Sequence, residues 1–145
     1  MGFIGTFNHT MDLKGRVFVP KRFLGALTEG EPRHFIATRG LDGCVFMFTA
    51  SQWKETAARV KGQAVGNPEA RDFVRIFFAD AEQIDIDDTG RVLMPERLRK
   101  PAQLERDVVF AGAHDRIELW DQTCWQRRRE EIDKGYEGFA RSIWT

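Results

Sequence analysis

The chain is poor in the residues that staple or anchor a fold. It has two cysteines in 145 residues, Cys44 and Cys124, and neither stands at zinc-ligand spacing from a second cysteine or a histidine. That excludes a disulfide scaffold and a zinc ribbon, suits a reducing cytoplasm, and leaves both thiols as small apolar side chains. No run of about 18 apolar residues occurs, so no membrane span is expected. The opening "MGFIGTF" lacks the basic start and long apolar segment of a secretory leader. Its loose match to Met-Gly-x-x-x-Thr is too short to assign a lipid, and Phe3 to Phe7 reads as a strand. Excess charge is also missing. The 22 cations balance 22 anions, which excludes a uniformly basic nucleic-acid binder and leaves room for a local basic face. His9, His34 and His114 stand isolated, and no nucleophile–base pair, paired carboxylates or Gly-rich phosphate loop is found. Catalysis, a metal, a cofactor and a small-molecule substrate are therefore not expected.

What is present is apolar material and a repeat. Twelve phenylalanines and four tryptophans supply ample core for one or two compact domains, so disorder over most of the chain is not expected. The segment "DLKGRVFVPKRF", residues 12–23, returns as "DDTGRVLMPERL", residues 87–98, with six of twelve positions identical at an offset of 75. Each copy starts with Asp at the first place of a turn and Gly at the fourth, the pattern of a type I turn closed by a left-handed glycine. Such a turn joins a three-residue hairpin with a bulge. Ile84 and Ile86 alternate with polar residues before the second turn, and "RVFV" and "RVLM" follow the two turns as strands. Pro20 and Pro95 are placed to open short helices from their first helical position, and Pro101 ends the second.

The correspondence continues. "HFIATR" and "VVFAGA" read as third strands, "CVFMF" and "RIELW" as fourth strands, and Thr49 and Asp121 as N-caps of longer helices. Trp53, Ala57, Val60 and Ala64 keep helical spacing after the first cap, and Trp125, Ile132, Tyr136, Phe139 and Ile143 after the second. Between the copies, Asn67-Pro68 opens a helix with Phe73, Val74, Phe77 and Phe78 on one face. The expected domains are 1–66, a connecting helix 67–81, and 82–145. Four short strands cannot bury a face alone, whereas two copies packed together can.

At this point the sequence resembles the MraZ family of bacterial transcription regulators. The resemblance rests on "FIG" near the start, the two Asp-x-x-Gly-Arg segments, "NPEARDFVRIFFADA" between them, and "RIELWDQTCW" near the end. It implies an α+β fold, mainly β with helices. Two tandem AbrB-like swapped-hairpin modules would form one pseudo-two-fold, double-psi-like β-barrel with outer helices. It also implies ring-shaped homo-oligomers on double-stranded DNA, at short repeated promoter boxes upstream of the division and cell-wall gene cluster. Repression of the chain's own operon and a cytoplasmic, nucleoid-associated location follow. The family's Asp-x-x-x-Arg motif falls on Asp12/Arg16 and Asp87/Arg91, with Lys14 added in the first copy. One position departs: Leu24 stands where the family commonly has Arg, while the second copy keeps Arg99.

The residue types suit DNA. Arginine offers paired donors to guanine in the major groove, so Arg16 is a candidate reader and Asp12 with Gly15 its brace. Lys14, Lys21 and Arg22 are candidate phosphate contacts. Arg91, Arg97 and Arg99 are the second copy's candidates, with Asp87 and Gly90 holding the turn. Asp85, Asp87 and Asp88 surround Arg91, so the second hairpin has two readings: a DNA contact, or a brace of the fold or of a subunit contact. "QRRREE", residues 126–131, reads as a solvated helix face. Trp53, Trp120 and Trp125 read as core or interface anchors. The reading from another class is an assembly scaffold whose basic turns meet a protein partner.

Overall fold

The computed structural model describes residues 2–27, 30–63 and 66–144. Both repeats fold in the same order. The first runs β1 (Thr6–Thr10), β2 (Arg16–Phe18), α1 (Lys21–Gly25), β3 (His34–Arg39), β4 (Val45–Phe48) and α2 (Ala50–Lys61). After the connecting helix α3 (Pro68–Ala79) come β5 (Glu82–Asp85), β6 (Arg91–Leu93), α4 (Glu96–Arg99), β7 (Asp107–Gly112), β8 (Ile117–Asp121) and α5 (Gln122–Trp144). The strand and helix expectations above hold in type and order.

Local chemistry sets the boundaries. The Thr49 hydroxyl accepts from Gln52 N, and the Gln52 side chain accepts from Thr49 N, a reciprocal cap that starts α2. Asn67 caps α3 with Pro68 in its first turn, and Asp121 Oδ2 accepts from Cys124 N at 3.0 Å to start α5. Pro20 and Pro95 sit one residue earlier than expected. Each is the N-cap, with the φ of a helix but an extended ψ of 135° and 149°. At the amino terminus the strand is also shorter than "FIGTF" suggested. Gly5 has φ of 100°, which breaks the run, so β1 begins at Thr6 and Phe3 makes only a single bridge to His114. Ala64, expected to continue the α2 face, lies outside the described residues.

The strands cross between repeats. A six-stranded antiparallel sheet runs in the order β1-β7-β8-β4-β3-β5, and β2 pairs with β6 in a sheet of their own. Each repeat's first strand therefore lies on the other repeat's third strand: Phe7 opposite Phe110, and Ile84 opposite Phe35. This corrects two expectations. The turns at 12–16 and 87–91 close locally, but β1 and β2, like β5 and β6, do not continue as paired hairpins. Nor, among the described residues, is a closed barrel found: the large sheet is open, with β1 and β5 at its edges, and the three-residue strands β2 and β6 pair with each other in a separate sheet.

The core explains why the repeat is needed twice. Val17, Val19, Phe23, Phe35 and Met47 of the first repeat interlock with Ile84, Val92, Met94, Leu98, Phe110 and Leu119 of the second in one buried cluster. Each such side chain contributes on the order of 1.5–3 kcal/mol by leaving water, and neither repeat could bury its share alone. Around this core the helices are unevenly covered. Phe77 is buried and Trp53 stacks on it at 5.5 Å, whereas Phe73, Ile132, Tyr136, Phe139 and Ile143 remain exposed. Trp120 is buried and meets half-buried Trp125 at 5.5 Å. On α5, Arg128 pairs with Glu131 and Asp42, and Arg129 with Asp133, as expected of a solvated face.

Candidate nucleic-acid interface

The two turns are built alike. In the first, Asp12 N donates to Arg16 O at 2.9 Å and Gly15 N to Asp12 O at 3.0 Å. The Asp12 carboxylate then gathers the loop: Oδ1 accepts from Lys14 N at 2.9 Å and Arg16 N at 2.8 Å, and Oδ2 from Arg16 Nε at 2.7 Å. In the second, Asp87 Oδ1 accepts from Thr89 N, Thr89 Oγ1 and Arg91 N, and Oδ2 from Arg91 Nε at 3.1 Å. Gly15 and Gly90 both have φ of 92°, the conformation that a residue with a Cβ resists. The arginine side chains are 40% exposed at Arg16 and 32% at Arg91.

These bonds set the charge state of the braces. The Asp12 carboxyl is held below its ordinary value, first by the Arg16 backbone N–H. Asp87 is held well below the usual carboxylate range, first by the Arg91 backbone N–H and then by the Thr89 hydroxyl. Both are anionic near neutral pH. Each holds its arginine through Nε, so the brace uses one of the guanidinium's five N–H donors.

The crossing of the chain brings the turns together. Arg16 lies opposite Leu93 and Phe18 opposite Arg91 on the β2–β6 ladder. Val19 N donates to Gly90 O at 3.0 Å and Met94 N to Gly15 O at 2.9 Å, so each turn is tied to the strand that follows the other. The surroundings then diverge. Arg99, from α4, donates Nε to Met94 O at 2.8 Å and lies against Gly15 of the first turn. The second turn meets Leu24 of α1 instead. Arg33 donates to Asp87 O at 2.9 Å, and the Arg91 guanidinium sits 5.8 Å from the Phe18 ring centre. Lys14, Lys21 and Arg22 are exposed, whereas Arg97 is paired with Glu82 at 3.0 Å.

Sequence reasoning missed Arg33 and Arg106. Their carbonyls accept from Ile86 N and Met11 N, one anchoring each turn's incoming strand from the opposite repeat. Their matching places before β3 and β7 were the available signal. Burial pushes the Cys44 thiol up, which suits an unreactive core residue, and lowers His9 beside Phe110. Among the described residues, no helix is long and apolar enough to cross a membrane.

A duplicated chain that exchanges strands between its halves and sets two braced arginine turns on one ladder is an intertwined tandem-repeat α+β protein. Comparison with known proteins places it further. The family model described as "MraZ protein, putative antitoxin-like" matches residues 3–76 and again 77–140. The chain belongs to the MraZ family. It is 42% identical over 141 residues to the transcriptional regulator MraZ of Carboxydothermus hydrogenoformans, covering 97% of this chain and 96% of that one. It is 40% identical to the protein of that name from Desulfitobacterium hafniense, with the same coverage. Against that of Thermoanaerobacter pseudethanolicus it is 36% identical over 140 residues, covering 97% and 95%.

Proposed function

We propose that the chain is a sequence-specific, double-stranded-DNA-binding transcription regulator, non-enzymatic, that represses its own gene cluster from short repeated promoter boxes. The observation that carries this reading is the first turn. Arg16 is held through Nε by Asp12 and half-exposed, near exposed Lys14, in a turn whose Gly15 lies against Arg99. A rigid turn that fixes one side of a guanidinium and frees the other suits bidentate contact with a guanine edge. Lys14, Lys21 and Arg22 serve as phosphate contacts that set register. The relatives' shared name, transcriptional regulator, supports the same reading.

One subunit without net charge binds DNA weakly, so the reading includes a ring-shaped homo-oligomer that presents several turns to successive boxes. Two different surfaces support head-to-tail contact. One is the exposed stripe on α5, with Tyr136 67% and Phe139 72% accessible. The other is a groove of about 530 Å³ between α2, α3 and β4, lined by Phe46, Phe48, Phe73 and Phe77. Unlike surfaces that meet head to tail form a ring when the rotation between subunits closes. Light scattering at micromolar protein should give a multiple of the 16.7 kDa chain, and a monomer would remove the ring.

The scaffold reading draws on the same α5 stripe, with DNA binding incidental. Competition separates the two. The proposed regulator keeps hold of the duplex upstream of its own gene at physiological salt against excess scrambled duplex. Incidental charge contact is lost from both duplexes alike.

A further inference from the structure

We infer that the first turn is a composite site completed by the other repeat. Arg99 seats it and adds a phosphate-facing charge, while Leu24, at the matching place beneath the second turn, adds none there, and that turn's own cross-repeat arginine, Arg33, is engaged with the Asp87 carbonyl. The inference rests on the DNA reading above and names which side chains make the two turns unequal.

Positions 24 and 99 correspond at the repeat offset of 75. Each lies under the turn of the opposite repeat. A Cβ placed on Gly15 would stand 2.6 Å from Arg99 Nε and 3.0 Å from its Cδ. A Cβ placed on Gly90 would stand 3.1 Å from Leu24 Cδ1. The strand crossing creates this exchange, because Met94 leads into α4 and also donates to Gly15 O. Arg99 Nε in turn donates to Met94 O, so Gly15, Met94 and Arg99 form one hydrogen-bonded chain of contacts. That bond fixes the guanidinium plane through Nε. The terminal nitrogens keep their N–H donors, which suit a phosphate. The first turn thus has Lys14 and Arg16 bound to the Asp12 carboxylate, through the Lys14 amide and the Arg16 amide and Nε, with Arg99 against its Gly15. The second gathers Arg91 and Arg33 among Asp85, Asp87 and Asp88, and its seat is apolar.

The test uses the full-length chain and two probes, the duplex upstream of its own gene and a scrambled duplex of equal length. Affinity is followed by fluorescence anisotropy across a salt series. Arg99→Leu should weaken binding to both duplexes by about ten-fold and flatten the salt slope by about one unit per engaged turn. Arg99→Lys should restore the slope, since the charge returns, without the full affinity of the fixed guanidinium plane. Leu24→Arg should steepen the slope and tighten binding. A melting curve for each variant reports folding separately. If Arg99→Leu lowers the melting temperature but leaves the slope as in the parent, Arg99 is only a strut and the composite site is wrong. An unchanged slope in folded Leu24→Arg would equally overturn the account of the asymmetry. A parent chain that shows no salt-dependent binding to either duplex is a different result: it removes the DNA reading itself, and the composite site with it.

Discussion

The turns at 12–16 and 87–91 share a backbone and differ in their neighbours. Both place an aspartate to catch the amide and Nε of an arginine four residues on, and both use a glycine at φ of 92°. Around the first stand Lys14 and, from the other repeat, Arg99. Around the second stand Asp85, Asp88 and, from the other repeat, Arg33, with Leu24 beneath. The lesson is that duplication preserves the brace, which the fold needs, while charge at the rim is free to diverge. One turn can then specialise in DNA and the other in holding the ladder.

Breaking each arginine tests that division most strongly. Arg16→Ala should cost about 1–3 kcal/mol of DNA binding per engaged subunit, a loss multiplied when several subunits bind together. Gel shifts on the upstream duplex should show binding abolished, while Arg91→Ala shows a modest loss. Equal losses would make the turns equivalent.

The glycines sharpen the comparison on stability. Alanine at either position takes on a left-handed conformation that costs roughly 1–2 kcal/mol. Gly90→Ala meets only the flexible end of Leu24, whereas Gly15→Ala meets the Met94 carbonyl at 2.7 Å as well as Arg99. Thermal melts should therefore rank Gly15→Ala as the more damaging, and the reverse order would contradict the packing beneath the turns.

Smaller effects follow from charge. Lys14→Ala should weaken every sequence alike and flatten the salt slope by about one unit per engaged contact. Thr89→Ala, at the matching position, should leave DNA binding as it is. Acid should separate the braces more finely. Both carboxyls are lowered from 3.8, so their contribution to stability is whole above that pH and is lost as pH falls through the folded-state value. Asp87 carries the extra Thr89 hydroxyl bond, so carboxyl NMR should show Asp12 protonating first on descent.

Much of this comparison was legible in the sequence, because the signals are local. Asp-x-x-Gly-Arg, the prolines and the caps at Thr49, Asn67 and Asp121 act within a few residues, and the structure keeps them, with Pro20 and Pro95 moved from the first helical position to the N-cap. Strand exchange was not legible from periodicity, since β1 and β5 alternate in the same way whichever strand they pair with. The resemblance to a family suggested exchange, but the open sheet and the separate β2–β6 ladder come from pairing that residue spacing does not encode. Arg99 was visible as a cation. That it serves the first turn, 84 positions away from Gly15 in the chain, depends wholly on that crossing. Arg33 and Arg106 escaped for the same reason: their carbonyls, and the Arg33 side chain as well, act on the opposite repeat, which spacing along the chain does not reveal.

The central claim is that Arg16 reads a base. The most direct measurement is a gel-shift series of the parent and Arg16→Ala against single-base variants of the upstream boxes, with melting curves as a control on folding. The expected result is a folded variant, with the parent's oligomeric size, whose residual binding at low salt has lost discrimination at one base position and kept it elsewhere. An Arg16→Ala chain that ranks every box variant as the parent does would show that the first turn is not the reading element.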